Sequence, residues 1–240
     1  MTTIRLKGLR TGDELAAAAR SSLYRCLATG FSFPTPEVSE AFASGGFRQD
    51  VLAAVDALPF GLAVDDGLRA EPTLAHEELQ QEYIRLFEVG PGRPPCPLYE
   101  GAHRSGRTEI MEDLVRFYEH FGLRPEAGDL PDHLCAELEF MHYLAFKEAA
   151  AVHAGTDSLP YRLAQRDFLS RRLNRWLPKL RRRLEQLDPP NLYLSLARLA
   201  EEACRRDARS LGTGGGKPDK QMGLCLTDDE DPSGDKLGVR

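Results

Sequence analysis

Three places in this 240-residue chain put acid and base side chains at spacings that could do chemistry. The first is Asp132-His133, an acid beside an imidazole where a polar loop gives way to an apolar helix. Such a pair can hydrogen-bond, titrate near neutrality, or hold an arginine through a charge-assisted bond. The structural alternative is plainer: helix N-termini carry Asp because it suits the dipole, and the His is then a partly buried neutral ring. The second is Glu139-Phe140-Met141-His142, the E-x-x-H spacing of di-iron helical bundles, which recurs as Glu100-Gly101-Ala102-His103. A di-iron site needs both motifs on helices and two further inward carboxylates. Glu100 to His103 directly follows a proline-rich stretch, and no clean fourth ligand is visible. The third, Ser170-Arg171-Arg172, copies the twin-arginine export motif but lies inside an expected helix with no apolar segment after it, so it reads as a solvated helix face.

The elements that must position these residues are helical. Apolar side chains recur at helical spacing throughout, and no period-2 strand or internal repeat is found. Helices are expected over Asp13–Thr29, Pro36–Phe42, Phe47–Leu58, Leu74–Phe87, Arg107–Phe121, Pro131–His153, Tyr161–Trp176, Pro178–Leu187 and Asn191–Ala208. Gly61–Pro72 is expected as loop. Gly122 should stop the helix before it, and Pro131 should open the next with Asp129 as N-cap. Between Gly90 and Pro97 lie four prolines and two glycines, which no helix can cross. A stiff mid-domain loop of this kind serves either as a binding loop or as a cover for the core. The fold class expected is all-α: one compact bundle of roughly nine or ten helices over residues 1–210. A disordered tail, rich in glycine and charge, is expected over 211–240.

Composition removes several function classes. The net charge is −6, yet residues 1–150 hold 14 basic against 24 acidic residues while residues 151–240 hold 17 against 13. The acidic first part speaks against nucleic-acid binding and for a basic partner. The basic run from Arg162 to Arg183 has only Phe168 and Trp176 interleaved, which is a solvated face rather than a nucleic-acid stripe. No apolar run approaches the ~20 residues needed to span a bilayer. Met1 to Gly12 carries no secretory pattern, and the five scattered cysteines never form a CxxC pair, so the chain reads as cytoplasmic with reduced thiols. Neither a P-loop nor a nucleophile–base pair is present, so no catalytic residue, cofactor or metal is assigned.

The order Tyr118, Gly122, Asp129-x-x-Asp132-His133, followed by a Leu/Glu/Phe/Met helix, resembles the TorD/DmsD/NarJ family of assembly chaperones for molybdenum-containing redox enzymes. The family's Glu-Pro-x-Asp-His box has Asp129 in place of its Glu here, and its proline is one position later, at Pro131. A second match is the Leu86-Phe87 helix end, preceded by Tyr83 and followed by a proline-rich loop closing on Pro97 and Tyr99. The resemblance implies a TorD/DmsD-like bundle that is not an enzyme. It would bind the signal peptide and catalytic subunit of a molybdoenzyme, proofreading it until cofactor is inserted and twin-arginine export begins. It also implies a client-binding surface at Tyr83, Leu86, Phe87, Pro97, Tyr99, Asp132 and His133, although burial is the ordinary fate of Leu86 and Phe87. Pro97-Leu98-Tyr99-Glu100-Gly101 and Pro131-Asp132-His133-Leu134 look most like the branch serving dimethyl sulfide, ethylbenzene, selenate or chlorate enzymes. Monomer and domain-swapped homodimer are both compatible with the sequence.

Overall fold

The computed structural model describes residues 12–69, 75–124 and 130–213. Among them the α-helices are α1 Gly12–Gly30, α2 Pro36–Ala43, α3 Gly46–Asp56, α4 Asp66–Arg69, α5 His76–Tyr83, α6 Arg107–His120, α7 Leu134–Ala154, α8 Leu159–Arg171, α9 Leu173–Glu185 and α10 Asn191–Thr213. No helix is long and apolar enough to cross a membrane, among the described residues. The all-α expectation holds.

The axis of the bundle is the pairing of α1 with α7, the most extensive helix contact in the molecule. Ala17, Ala18 and Ala19 are fully buried, and side chains this small let the two backbones approach closely. Helix α7 carries Leu134, Leu138, Met141, Leu144 and Ala145 at complete burial. Helices α8, α9 and α10 pack against one another beside it, with Trp176, Phe168 and Tyr193 as their buried aromatics.

Several boundaries depart from the sequence reading. The α5 segment does not remain α-helical to Phe87. It widens at Ile84–Glu88 into a π turn closed by Val89 N–H donating to the Ile84 carbonyl at 3.0 Å, and both Leu86 and Phe87 point inward there. The break between α8 and α9 falls at Arg172 rather than before Pro178, which lies inside α9. Arg172 is 3% exposed and anchored by ion pairs, so its side chain fixes the break more firmly than the proline ring does. A short turn, α4, interrupts the expected Gly61–Pro72 loop. Last, α10 continues past Ala208 to Thr213 with Leu211 buried. Most of the segment expected as a tail, 214–240, lies outside the described residues, as does the Asp129 cap.

Helix α6 does stop at glycine. Gly122 takes φ +72°, where Leu123 N–H donates to Tyr118 O and Gly122 N–H to Glu119 O, both at 2.9 Å. These are the two bonds of the Schellman cap.

Candidate functional site

The site is built where the proline-rich loop meets the start of α7. Cys96 N–H donates to Leu86 O at 2.8 Å, tying the loop to the π turn. The loop then runs antiparallel to residues 132–134. Leu134 N–H donates to Leu98 O at 2.8 Å and Glu100 N–H to Asp132 O at 2.9 Å. This leaves Tyr99 and His133 directly paired in an isolated bridge, their rings edge to face at 4.9 Å between centroids. From the other side α6 holds the same turn, because the Tyr118 hydroxyl donates to Pro131 O at 2.8 Å. The result is a two-residue clasp gripped by three separate elements.

Residues 131–133 are therefore engaged with the loop, which is why α7 begins at Leu134 and not at the expected Pro131. His133 is the N-cap: its Nδ1 accepts from Cys135 N–H at 3.2 Å. An accepting Nδ1 carries no proton, so this ring is neutral with its hydrogen on Nε2. Asp132 is fully buried, and its Oδ2 accepts from Gly101 N–H at 3.1 Å. Gly101 must be glycine for this contact. A Cβ there would lie 2.8 Å from Arg107 Cγ and 3.0 Å from Asp132 Oδ2.

Of the seven residues expected to form a client surface, Tyr99 and His133 are half-buried. Tyr83, Leu86, Phe87, Pro97 and Asp132 are buried. Tyr83 donates its hydroxyl to Phe31 O at 3.1 Å and packs edge-on against Phe33, which is 43% exposed. Tyr83, Leu86 and Phe87 thus form the floor under the loop. Asp132 meets backbone rather than solvent, so an arginine from outside cannot reach it without opening the clasp.

Beneath the clasp lies a polar layer that sequence reasoning did not assemble. Glu100 is fully buried and pairs with Arg104 and, at 3.6 Å, with Arg172. Arg172 also reaches Asp113 at 2.7 Å. Glu137, again fully buried, accepts from Trp176 Nε1–H at 3.2 Å. Burial pushes the Glu137 carboxyl well above its usual range, with Glu100 and Asp132 adding to the rise. Burial also raises Glu100, against the opposing pull of Arg172 and Arg104. The sequence singles out Glu100 and Asp132 for other roles, and Glu137 lies on the apolar stripe of α7, three residues after Leu134 and four before Met141.

The E-x-x-H motifs do not converge on a metal. Glu139 is exposed, and His142 Nδ1–H donates to Ser21 O at 2.9 Å. His103 stacks on Trp176 and donates from Nε2 to Pro97 O at 2.7 Å, with burial lowering its affinity for a second proton. No group of three or more His, Cys, Asp or Glu is placed to hold a metal ion among the described residues.

Comparison with known proteins shows the family of the chain. Residues 44–182 match the family model of the nitrate reductase delta subunit. The selenate reductase assembly chaperone of Thauera selenatis is 45% identical over 154 residues, 62% of this chain and 79% of that one. The chlorate reductase assembly chaperone of Ideonella dechloratans is 42% identical over 151 residues, 61% and 78% of the two chains. The dimethyl sulfide dehydrogenase assembly chaperone of Rhodovulum sulfidophilum is 35% identical over 205 residues, 80% of each. With more than half its length matched by the model and these relatives aligned over most of theirs, the chain belongs to the nitrate reductase delta subunit family, the TorD/DmsD/NarJ group of molybdoenzyme assembly chaperones.

Proposed function

We propose that this protein is a cytoplasmic chaperone dedicated to one molybdoenzyme of the selenate, chlorate or dimethyl sulfide type. It binds the twin-arginine signal peptide of the catalytic subunit and delays export until cofactor is in place. The observation that carries this reading is the half-buried Tyr99–His133 ring pair on a backbone fixed from three sides. A rigid aromatic presented this way makes an amphipathic contact at low conformational-entropy cost. Exposed Phe33 and Val89 extend the apolar surface around buried Tyr83, and Glu88 beside it supplies negative charge for a basic peptide. The free thiols Cys26, Cys96, Cys135 and Cys204 suit a reducing compartment.

Titration calorimetry with a synthetic signal peptide from a selenate reductase-type catalytic subunit tests this. The peptide binds the native chain, and its twin-lysine variant binds more weakly. Tyr99→Ala loses about tenfold or more in affinity, the loss of a central aromatic anchor, with an unchanged melting temperature. Equal affinity for native and Tyr99→Ala protein would move the binding surface elsewhere.

A further inference from the structure

We propose that the buried trio Glu100, Asp132 and Glu137 contains an O–H donor, carried by Glu137 at neutral pH, and that this proton holds the Tyr99–His133 clasp closed.

The argument is one of donors and acceptors. The three carboxyl groups are fully buried and carry six oxygens. Glu100 Oε1 faces Arg104 and Arg172, Asp132 Oδ2 accepts from Gly101 N–H, and Glu137 Oε2 accepts from Trp176 Nε1–H. The remaining oxygen of each, Glu100 Oε2, Asp132 Oδ1 and Glu137 Oε1, is buried with no hydrogen-bond partner. An ionised carboxylate only accepts, so three ionised groups cannot satisfy one another at any geometry. One added proton turns an orphan acceptor into a donor for another orphan, and it removes one of three like charges from a site with little solvent.

Glu137 is the group that takes it. Glu100 has two guanidinium partners to hold it ionised. Asp132 already gives Oδ2 to the Gly101 amide, just ahead of the α7 N-terminus. The donor that reaches Glu137 is the neutral Trp176 indole. Arg172, from the α8–α9 break, is shared with Glu100 and Asp113. Tyr118 from α6 and Cys204 from α10 also face the group, and burial drives both of these acids away from ionisation. His103 closes the layer by stacking on Trp176, and Arg107 borders Gly101.

The link to the clasp is covalent and short. Asp132 contributes the carbonyl that receives Glu100 N–H and the carboxyl oxygen that receives Gly101 N–H. Its other oxygen is one of the three orphans. A third negative charge arriving on Glu137 repels both Asp132 and Glu100, the two residues that pair across the clasp. If the clasp presents the client-binding rings, as proposed above, client affinity then falls as Glu137 ionises.

The test uses the full chain and no client, so its failure would leave the signal-peptide reading standing, and the reverse. Infrared spectra of the native protein at pH 7 should show a protonated carboxylic acid band that is missing in Glu137→Gln. Absence of the band from native protein, or its persistence unchanged in Glu137→Gln, overturns the proposal. Trp176 is the chain's single tryptophan, so its fluorescence reports on the same bond. Native protein should show an emission transition on raising the pH that Glu137→Gln lacks, while any His103 transition remains in both. Amide exchange supplies the last readout. Protection of Gly101 and Leu134 should fall at least tenfold across that transition in native protein and stay level in Glu137→Gln; an equal fall in both overturns the clasp link.

Discussion

Two buried charge clusters among the described residues treat their carboxyl oxygens in opposite ways. In one, Arg20 of α1 reaches Glu148 of α7 at 2.6 Å and Asp207 of α10 at 3.4 Å. Arg162 meets Glu148 at 3.3 Å, Gln165 donates to it at 2.7 Å, and the Tyr24 hydroxyl donates to Asp207 at 2.7 Å. All four carboxylate oxygens there have a donor, and two cations balance two anions. The other cluster, under the clasp, holds three carboxyl groups, of which Glu100 alone pairs with the two guanidiniums, and leaves an oxygen of each unpartnered. The first arrangement ties four helices into one register. The second leaves charge unresolved next to the surface where binding is proposed, which is where a change in protonation can be felt.

The largest effect should come from breaking the balanced cluster. Arg20→Met leaves Glu148 and Asp207 buried without their shared cation, and removing one partner of a buried pair costs about 3–5 kcal/mol. Urea unfolding monitored by circular dichroism measures it. A cost near zero would mean the α1–α7–α10 network is solvated and the contrast with the clasp cluster is false.

Gly101→Ala should cost less in stability and more in function. Its new methyl must displace Arg107 and the Asp132 carboxyl, a local overpacking worth about 1–3 kcal/mol. The strain falls on the clasp and not on the bundle. Signal-peptide affinity should therefore drop in this variant by more than in any bundle variant of equal melting temperature. Equal affinity losses at matched stability would show that the clasp has no special part in binding.

The pH dependence separates the clusters further. A carboxyl whose folded value is raised contributes most to stability below its unfolded value, and that contribution is lost as pH rises through the folded value. Glu137 is such a group. Native protein and Glu137→Gln should melt alike below the ordinary glutamate range, and Glu137→Gln should be the more stable by a margin that widens with pH. A constant difference across the pH range would exclude Glu137 as the titrating group.

Much of this was legible in the sequence because helices announce themselves locally. The apolar spacing of α6 and α7 and the glycine stop at Gly122 follow from residues within two turns of each other. Tyr99 and His133 were each legible as candidates, since Tyr99 closes the proline loop and His133 stands where α7 opens. What was hidden is what depends on residues far apart in the chain. The pairing of Leu98–Glu100 with Asp132–Leu134 moved the α7 start by three residues and buried Asp132, and no local rule encodes that pairing. The Arg172 break was masked by Pro178, the stronger local signal, because the ion pairs that set it come from Glu100 and Asp113.

The smallest effect is expected at the residue the sequence makes most conspicuous. A site reading of Asp132-His133 gives the carboxylate to an incoming arginine, in which case Asp132→Asn removes a charge-assisted bond of about 1.5–3 kcal/mol and costs tenfold or more in affinity. The geometry argues otherwise. Asp132 is fully buried, and its partner is the Gly101 amide, for which the Asn carbonyl oxygen is an equally good acceptor. The Asn amide also donates, and it lies beside carboxyl oxygens that lack a donor. Asp132→Asn should thus keep its melting temperature or raise it slightly, and bind the signal peptide within about a factor of two of native, well under the 1.4 kcal/mol of a tenfold change. Asp132→Ala, which loses the acceptor for Gly101 N–H, should lower both. Calorimetry and thermal melts on the two variants side by side decide the matter. A tenfold loss in Asp132→Asn with an unchanged melt would return the carboxylate to the binding surface and require the clasp to open for its client.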